Sequence, residues 1–116
     1  MESCQIRFAE RRDVPMILGF IRKLAEYEKL ENEVVATEKL LETWLFDKKK
    51  AEVLLAFEGE KPVGYALFFH NFSTFLGRAG IYLEDLFVLP EMRGKGYGKA
   101  LLSRVARLTV ERECGR

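Results

Sequence analysis

The residues best suited to chemistry in this sequence are three glycines at alternate positions. They lie in the run Val88-Leu89-Pro90-Glu91-Met92-Arg93-Gly94-Lys95-Gly96-Tyr97-Gly98, between an apolar stretch and an amphipathic one. Lacking Cβ, such a turn escapes the steric limits on φ and ψ. Its amide hydrogens can converge on one anion, and a following helix adds the positive end of its dipole. The spacing describes a phosphate cradle; the plainer alternative is a tight turn that uses glycine for geometry alone. Two common cradles do not match. A P-loop needs four residues between its glycines and then Gly-Lys-Ser or Gly-Lys-Thr. A dinucleotide fingerprint needs Gly-x-Gly-x-x-Gly, and here the third glycine comes one residue early.

Upstream, Glu84 and Asp85 interrupt the otherwise apolar segment Gly80 to Val88. A carboxylate inside such a strand is expected to have its pKa raised by desolvation, toward the range of a general base. The plainer alternative is a carboxylate satisfied by a backbone amide or facing solvent at a β-bulge. Alternation does not decide which of the two faces a site, because one bulge reverses the register. Tyr27 and Glu28, with Glu26, Glu31 and Glu33, form an acidic neighbourhood that would attract a cation. Taken alone, a tyrosine and a glutamate at a helix end are more often packing and solvated charge. His70 reads as a strand-end polar residue, and Trp44, Phe68, Phe69, Phe72 and Phe75 as core or site wall.

Arg93, Gly96 and Gly98 match the Arg/Gln-x-x-Gly-x-Gly motif, and the chain resembles the GNAT N-acetyltransferases over essentially its whole length. Ile6-Arg7, Leu24-Ala25-Glu26-Tyr27-Glu28 and Tyr82-Leu83-Glu84-Asp85-Leu86-Phe87-Val88 look like the spermidine/spermine group, which includes thialysine acetyltransferases. The resemblance implies acetyl transfer from acetyl-CoA to a primary amine (a polyamine, thialysine or similar) by direct attack in a ternary complex, without a metal. It implies that Arg93, Gly94, Lys95, Gly96, Tyr97, Gly98 and Lys99 hold the coenzyme A pyrophosphate. Backbone groups of Leu86, Phe87 and Val88 would pair with the pantetheine arm and polarise the thioester carbonyl. Glu84 would help deprotonate and position the amine, with Tyr27 and Glu28 lining its site.

Family members continue past this point into further strands and a helix carrying a Trp-Asn pair and a Phe-Tyr pair, whose tyrosine acts as general acid. Those motifs are absent here. The expectation is therefore the N-terminal portion of the GNAT acyl-CoA N-acyltransferase fold, as one domain over residues 1–116. Its open sheet edge would be completed by a second copy, in a homodimer, or by another chain. The alternative is a coenzyme A-binding or partner-completed module with little or no turnover.

The elements that must position these residues follow from periodicity. Ile6 and Phe8 alternate with polar neighbours as a short strand. Ile17, Ile21, Leu24 and Glu28 recur at helical spacing from an acidic start at Glu10 to Asp13, predicting a helix to about Leu30. Thr37 caps a second helix holding Leu40, Leu41, Trp44 and Leu45. Val53 to Phe57 and Pro62 to Phe69 form a hairpin about Glu58-Gly59-Glu60. Asn71 to Arg78 reads as a loop, Gly80 to Val88 as the fourth strand, and Gly98 to Glu113 as a last helix stopped by Gly115. The order strand-helix-helix-strand-strand-strand-helix specifies an α/β domain of the α+β type, a mostly antiparallel sheet flanked by helices.

Composition restricts the rest. The chain has 116 residues, enough for one domain that buries roughly two thirds of its unfolded surface. Nineteen basic and 18 acidic residues leave a net charge of +1, which argues against nucleic acid as partner. Lys48 to Lys50 is expected to be a solvated loop. No stretch has the length of a membrane span and the start lacks the apolar core of a leader peptide. Two cysteines with no metal-ligand spacing are expected as free thiols in a cytoplasmic protein.

Overall fold

The computed structural model describes residues 4–115. Strand β1 (Cys4–Phe8) is followed by α1 (Val14–Tyr27) and by α2 (Glu38–Leu41), which widens into a π-helical stretch over Glu42–Asp47. Strands β2 (Glu52–Glu58), β3 (Lys61–Ser73) and β4 (Arg78–Val88) come next, then α3 (Tyr97–Glu111). The expected element order holds. The four strands lie in the order β1-β2-β3-β4, each antiparallel to its neighbour.

Successive strand residues point to opposite faces, and Leu54 and Leu55 are both fully buried, so both faces of the sheet are covered. Phe20 of α1 stacks on Tyr65 and meets Phe87 edge-on, which puts α1 on the face of Leu55, Tyr65 and Phe87. On the other face Arg112, just past α3, lies over Phe68 and grips Glu52 through two bonds of 2.6 and 2.9 Å. Leu101, Val105 and Leu108 of α3 complete that layer.

The helix ends differ from the expected ones for one reason: the residues in the left-handed conformation are not glycines. At the end of α1 it is Lys29, with φ +61. Leu30 N donates to Ala25 O and Lys29 N to Glu26 O, a double cap that stops the helix at Tyr27. At the end of α3 it is Glu113, with φ +56, where Cys114 N donates to Thr109 O. Gly115, the expected stop, serves close approach instead. Its amide donates to Ala79 O, and a Cβ there would stand 2.9 Å from Leu76 Cδ1. At α2 the Thr37 cap is in place, its hydroxyl accepting from Leu40 N at 3.1 Å.

Half of the predicted loop from Asn71 to Arg78 is strand. β3 and β4 stay paired out to Ser73 and Arg78, and the turn needs only residues 74–77. Gly77 supplies φ +68 there, and Ser73 Oγ accepts from Leu76 N. Phe69 and Tyr82 face each other across the two strands with ring centroids 5.2 Å apart. Phe68 is core, whereas Trp44, Phe72 and Phe75 are exposed. No helix among the described residues is long and apolar enough to cross a membrane.

Candidate active site

The site is built at the end of β4. Register sets it: Gly64 pairs with Val88 and Tyr65 with Phe87. A Cβ on Gly64 would fall 2.6 Å from the Phe87 carbonyl oxygen, so glycine is what permits the two backbones this spacing. Antiparallel pairs alternate between those that exchange both backbone bonds and those that exchange none. Leu89 N donates to Val63 O, which assigns the exchanging set to Val63/Leu89, Tyr65/Phe87 and Leu67/Asp85. Leu86 and Val88 therefore turn their amides and carbonyls to the outer edge of the sheet, while those of Phe87 belong to β3. Of the three backbone positions predicted to meet a ligand, two face outward.

After β4 a short helical turn, Pro90–Met92, buries Met92 and delivers the chain into the glycines. Gly94 and Gly96 have φ of +83 and +88, values that L-residues with a Cβ seldom adopt. Gly96 caps α3, and the first helical bond runs from Ala100 N to Gly96 O. Among the described residues the amides of Gly94, Lys95, Gly96, Gly98 and Lys99 donate to no backbone carbonyl. Five such donors and the start of α3 thus lie together at one turn, and amides at a helix start are groups that can bind an anion.

Two cations flank this turn, and each is already engaged within the chain. Arg93 folds back: its Nε donates to Val88 O at 3.1 Å and its guanidinium lies 4.4 Å from the Tyr27 ring centre and 5.8 Å from that of Phe87. Lys95 Nζ stands 3.8 Å from Glu58 Oε2. Arg93 thus joins the turn to the end of α1, where Tyr27 and Glu28 are exposed. Lys23, Glu26, Tyr27, Phe87, Leu89, Pro90 and Glu91 line a groove between α1 and this turn.

The carboxylate pair is resolved by a bulge. Leu67 pairs with Asp85 and Phe68 with Leu83, leaving Glu84 as the extra residue. Glu84 is exposed, so the burial predicted for it is not found. Asp85 is half-buried on the α1 face and accepts the Tyr65 hydroxyl at 2.9 Å. Tyr65 is fully buried, and its ionisation is pushed well above the usual 10. Loss of solvation is the main cause, then the Asp85 charge and hydrogen bond, with Glu28 and Glu84 adding. That last contribution brings Glu28, Glu84 and Asp85 into one negative field around the Tyr65 hydroxyl. Sequence reasoning passed over Tyr65 and Gly64; a phenol amid an apolar strand and a glycine two residues after Pro62 were the available signals.

The chain matches the acetyltransferase (GNAT) family over residues 19–116. It is 40% identical over 123 residues to the thialysine N-epsilon-acetyltransferase of Bos taurus, covering 98% of this chain and 72% of that protein. It is 30% identical over 122 residues to the spermidine/spermine N(1)-acetyltransferase-like protein 1 of Homo sapiens, covering 98% of this chain and 17% of that longer protein. In fold it superposes on a ribosomal-protein-alanine N-acetyltransferase from Brucella melitensis with a TM-score of 0.81 at 24% identity, covering 97% of this chain and 76% of that one. The antiparallel sheet, the glycine turn opening α3 and these similarities together make the chain a member of the GNAT acetyltransferase family.

Proposed function

We propose that the chain transfers an acetyl group from acetyl-CoA to a small primary amine, a thialysine-like or polyamine substrate, by direct attack while both are bound. The observation that carries this reading is the set of amides at Gly94, Lys95, Gly96, Gly98 and Lys99 that, among the described residues, donate to no backbone carbonyl, next to the outward backbone groups of Leu86 and Val88. The donors suit a diphosphate. The edge of β4 suits an amide-bearing arm, which can add to a sheet as a strand does. No metal is invoked.

In this reading the thioester carbonyl lies against outward amides of β4, which stabilise the negative charge that develops on its oxygen. The amine enters from the side of Tyr27, Glu28, Glu84 and Asp85, where the three carboxylates favour a cation. An ammonium has no lone pair, so one proton must leave before nitrogen can attack. Glu84, exposed at the bulge, takes that proton directly or through water. The C–N bond then forms, the C–S bond breaks, and the departing thiolate takes up the second proton that the acetylated nitrogen must lose.

β4 is one of the two outer strands of the sheet, and Tyr82 on it, Phe75 and Leu76 in the turn before it and Phe72 at the end of β3 are exposed. We take this edge to be closed by another strand, as in a homodimer. A cytoplasmic setting fits the free thiols of Cys4 and Cys114.

The test is thiol release. With acetyl-CoA and thialysine or spermidine the protein should liberate free coenzyme A in step with acetylated amine. Tight coenzyme binding with no release for any primary amine would reduce it to a binding module; no coenzyme binding would remove the reading altogether.

A further inference from the structure

The glycine turn is exposed except at Tyr97, which is buried, and Gly98, which is half-buried. Arg93, Gly94, Lys95, Gly96 and Lys99 face solvent, whereas Tyr97 is 2% exposed. Its hydroxyl donates to Glu58 Oε2, the oxygen that also faces Lys95 Nζ at 3.8 Å. Glu58 closes β2, an interior strand, and is held in register on both sides, by Cys4 of β1 and Lys61 of β3. A carboxylate on a fixed sheet end thus grips the buried side chain at the centre of a turn whose other members are glycines or solvated cations.

We propose that Glu58 is a positioning residue for the coenzyme site, fixing through Tyr97 the direction in which the amides of Gly94 to Lys99 point. The inference rests on the acetyl-CoA reading given above. Glycines at 94, 96 and 98 provide the conformations that converge the amides, but they provide no side chain to hold them converged. That holding falls to Tyr97 and, through its hydroxyl, to Glu58. The arrangement has an electrostatic cost, because a carboxylate near a diphosphate repels it. Lys95 offsets that cost by standing against the same oxygen.

Hydrogen bonding and charge can be separated. Glu58→Gln keeps an acceptor for the Tyr97 hydroxyl and removes the charge, whereas Glu58→Ala removes both, and Tyr97→Phe removes the donor. Coenzyme A affinity, measured by calorimetry on the full chain, should fall about 5- to 20-fold in Glu58→Ala and in Tyr97→Phe. The double variant should be no worse than either single one, and Glu58→Gln should stay within about twofold of the unaltered protein. The KM for the amine should not move. A merely structural contact would lower the melting temperature in these variants and leave coenzyme affinity where it was. Equal affinity in Tyr97→Phe and the unaltered protein overturns the inference even if Glu58→Ala does not fold. Failure of the unaltered protein to bind coenzyme A would instead overturn the reading beneath it.

Discussion

The Arg93 guanidinium lies 4.4 Å from the centre of the Tyr27 ring while its Nε holds the Val88 carbonyl at 3.1 Å. One side chain therefore spans the start of the glycine turn, the outer edge of β4 and the end of α1. An arginine over a tyrosine face at an exposed site is worth about 0.5–1 kcal/mol. A double-mutant cycle on Arg93→Met and Tyr27→Leu should give a coupling of that size in amine KM, with each single change raising it. Independent effects of the two substitutions would mean that the contact does not link amine and coenzyme sites.

Glu84 and Asp85 should separate by role. Glu84→Gln should lower kcat by about 10²-fold, the lower range for loss of a general base, and leave coenzyme affinity unchanged. Asp85→Asn should instead raise amine KM, because Asp85 is engaged with Tyr65 at 2.9 Å. Steady-state kinetics with thialysine distinguishes the two. A Glu84→Gln enzyme of normal kcat removes that carboxylate from the chemistry.

Gly64→Ala is a conservative change at an unforgiving position. Its Cβ would meet Phe87 O at 2.6 Å and Val88 Cα at 3.2 Å, so the β3–β4 spacing must widen. Urea unfolding should show a loss of about 1–3 kcal/mol, and coenzyme affinity should fall with it. Unaltered stability would show that the sheet absorbs the methyl group without cost.

The first turn of α1 predicts an acid response. Arg7 donates to both oxygens of Asp13, at 2.8 and 3.1 Å, and Glu10 N donates to one at 2.7 Å. The Arg7 bond is the main force lowering the Asp13 pKa below the ordinary 3.8, with the Glu10 amide helping against burial. A carboxyl with a depressed folded pKa stabilises the protein above its unfolded value, and that stability is lost as pH falls through the folded one. Asp13→Asn should cost about 1–3 kcal/mol at neutral pH and flatten the loss of stability as pH falls below the ordinary carboxyl value of 3.8. An unchanged acid limb would place the acid-labile contact elsewhere.

What was legible in the sequence was what local chemistry fixes. The 3.6-residue spacing of Ile17, Ile21 and Leu24 yields α1, and alternating glycines yield the turn before α3. Thr37 was readable as a cap because its hydroxyl acts on a neighbour three residues on. Lys29 and Glu113 were not, since a left-handed residue with a Cβ leaves no compositional mark. Nor could alternation settle Glu84 against Asp85, because the bulge opposite Leu67 exists only once β3 and β4 are paired. Tyr97 to Glu58 spans 39 positions, a distance at which pattern carries no information.

The most direct test compares Gly96→Asn with Gly96→Asp by titration with coenzyme A. Gly96 sits at φ +88, and asparagine and aspartate both enter the left-handed region more readily than other side chains do. The two variants therefore share the backbone penalty and differ in one negative charge at the mouth of the turn. The expected result is weaker binding for Gly96→Asn and a further loss of at least about tenfold for Gly96→Asp, diminished by salt. Equal affinities for the two would contradict a diphosphate seated on these amides.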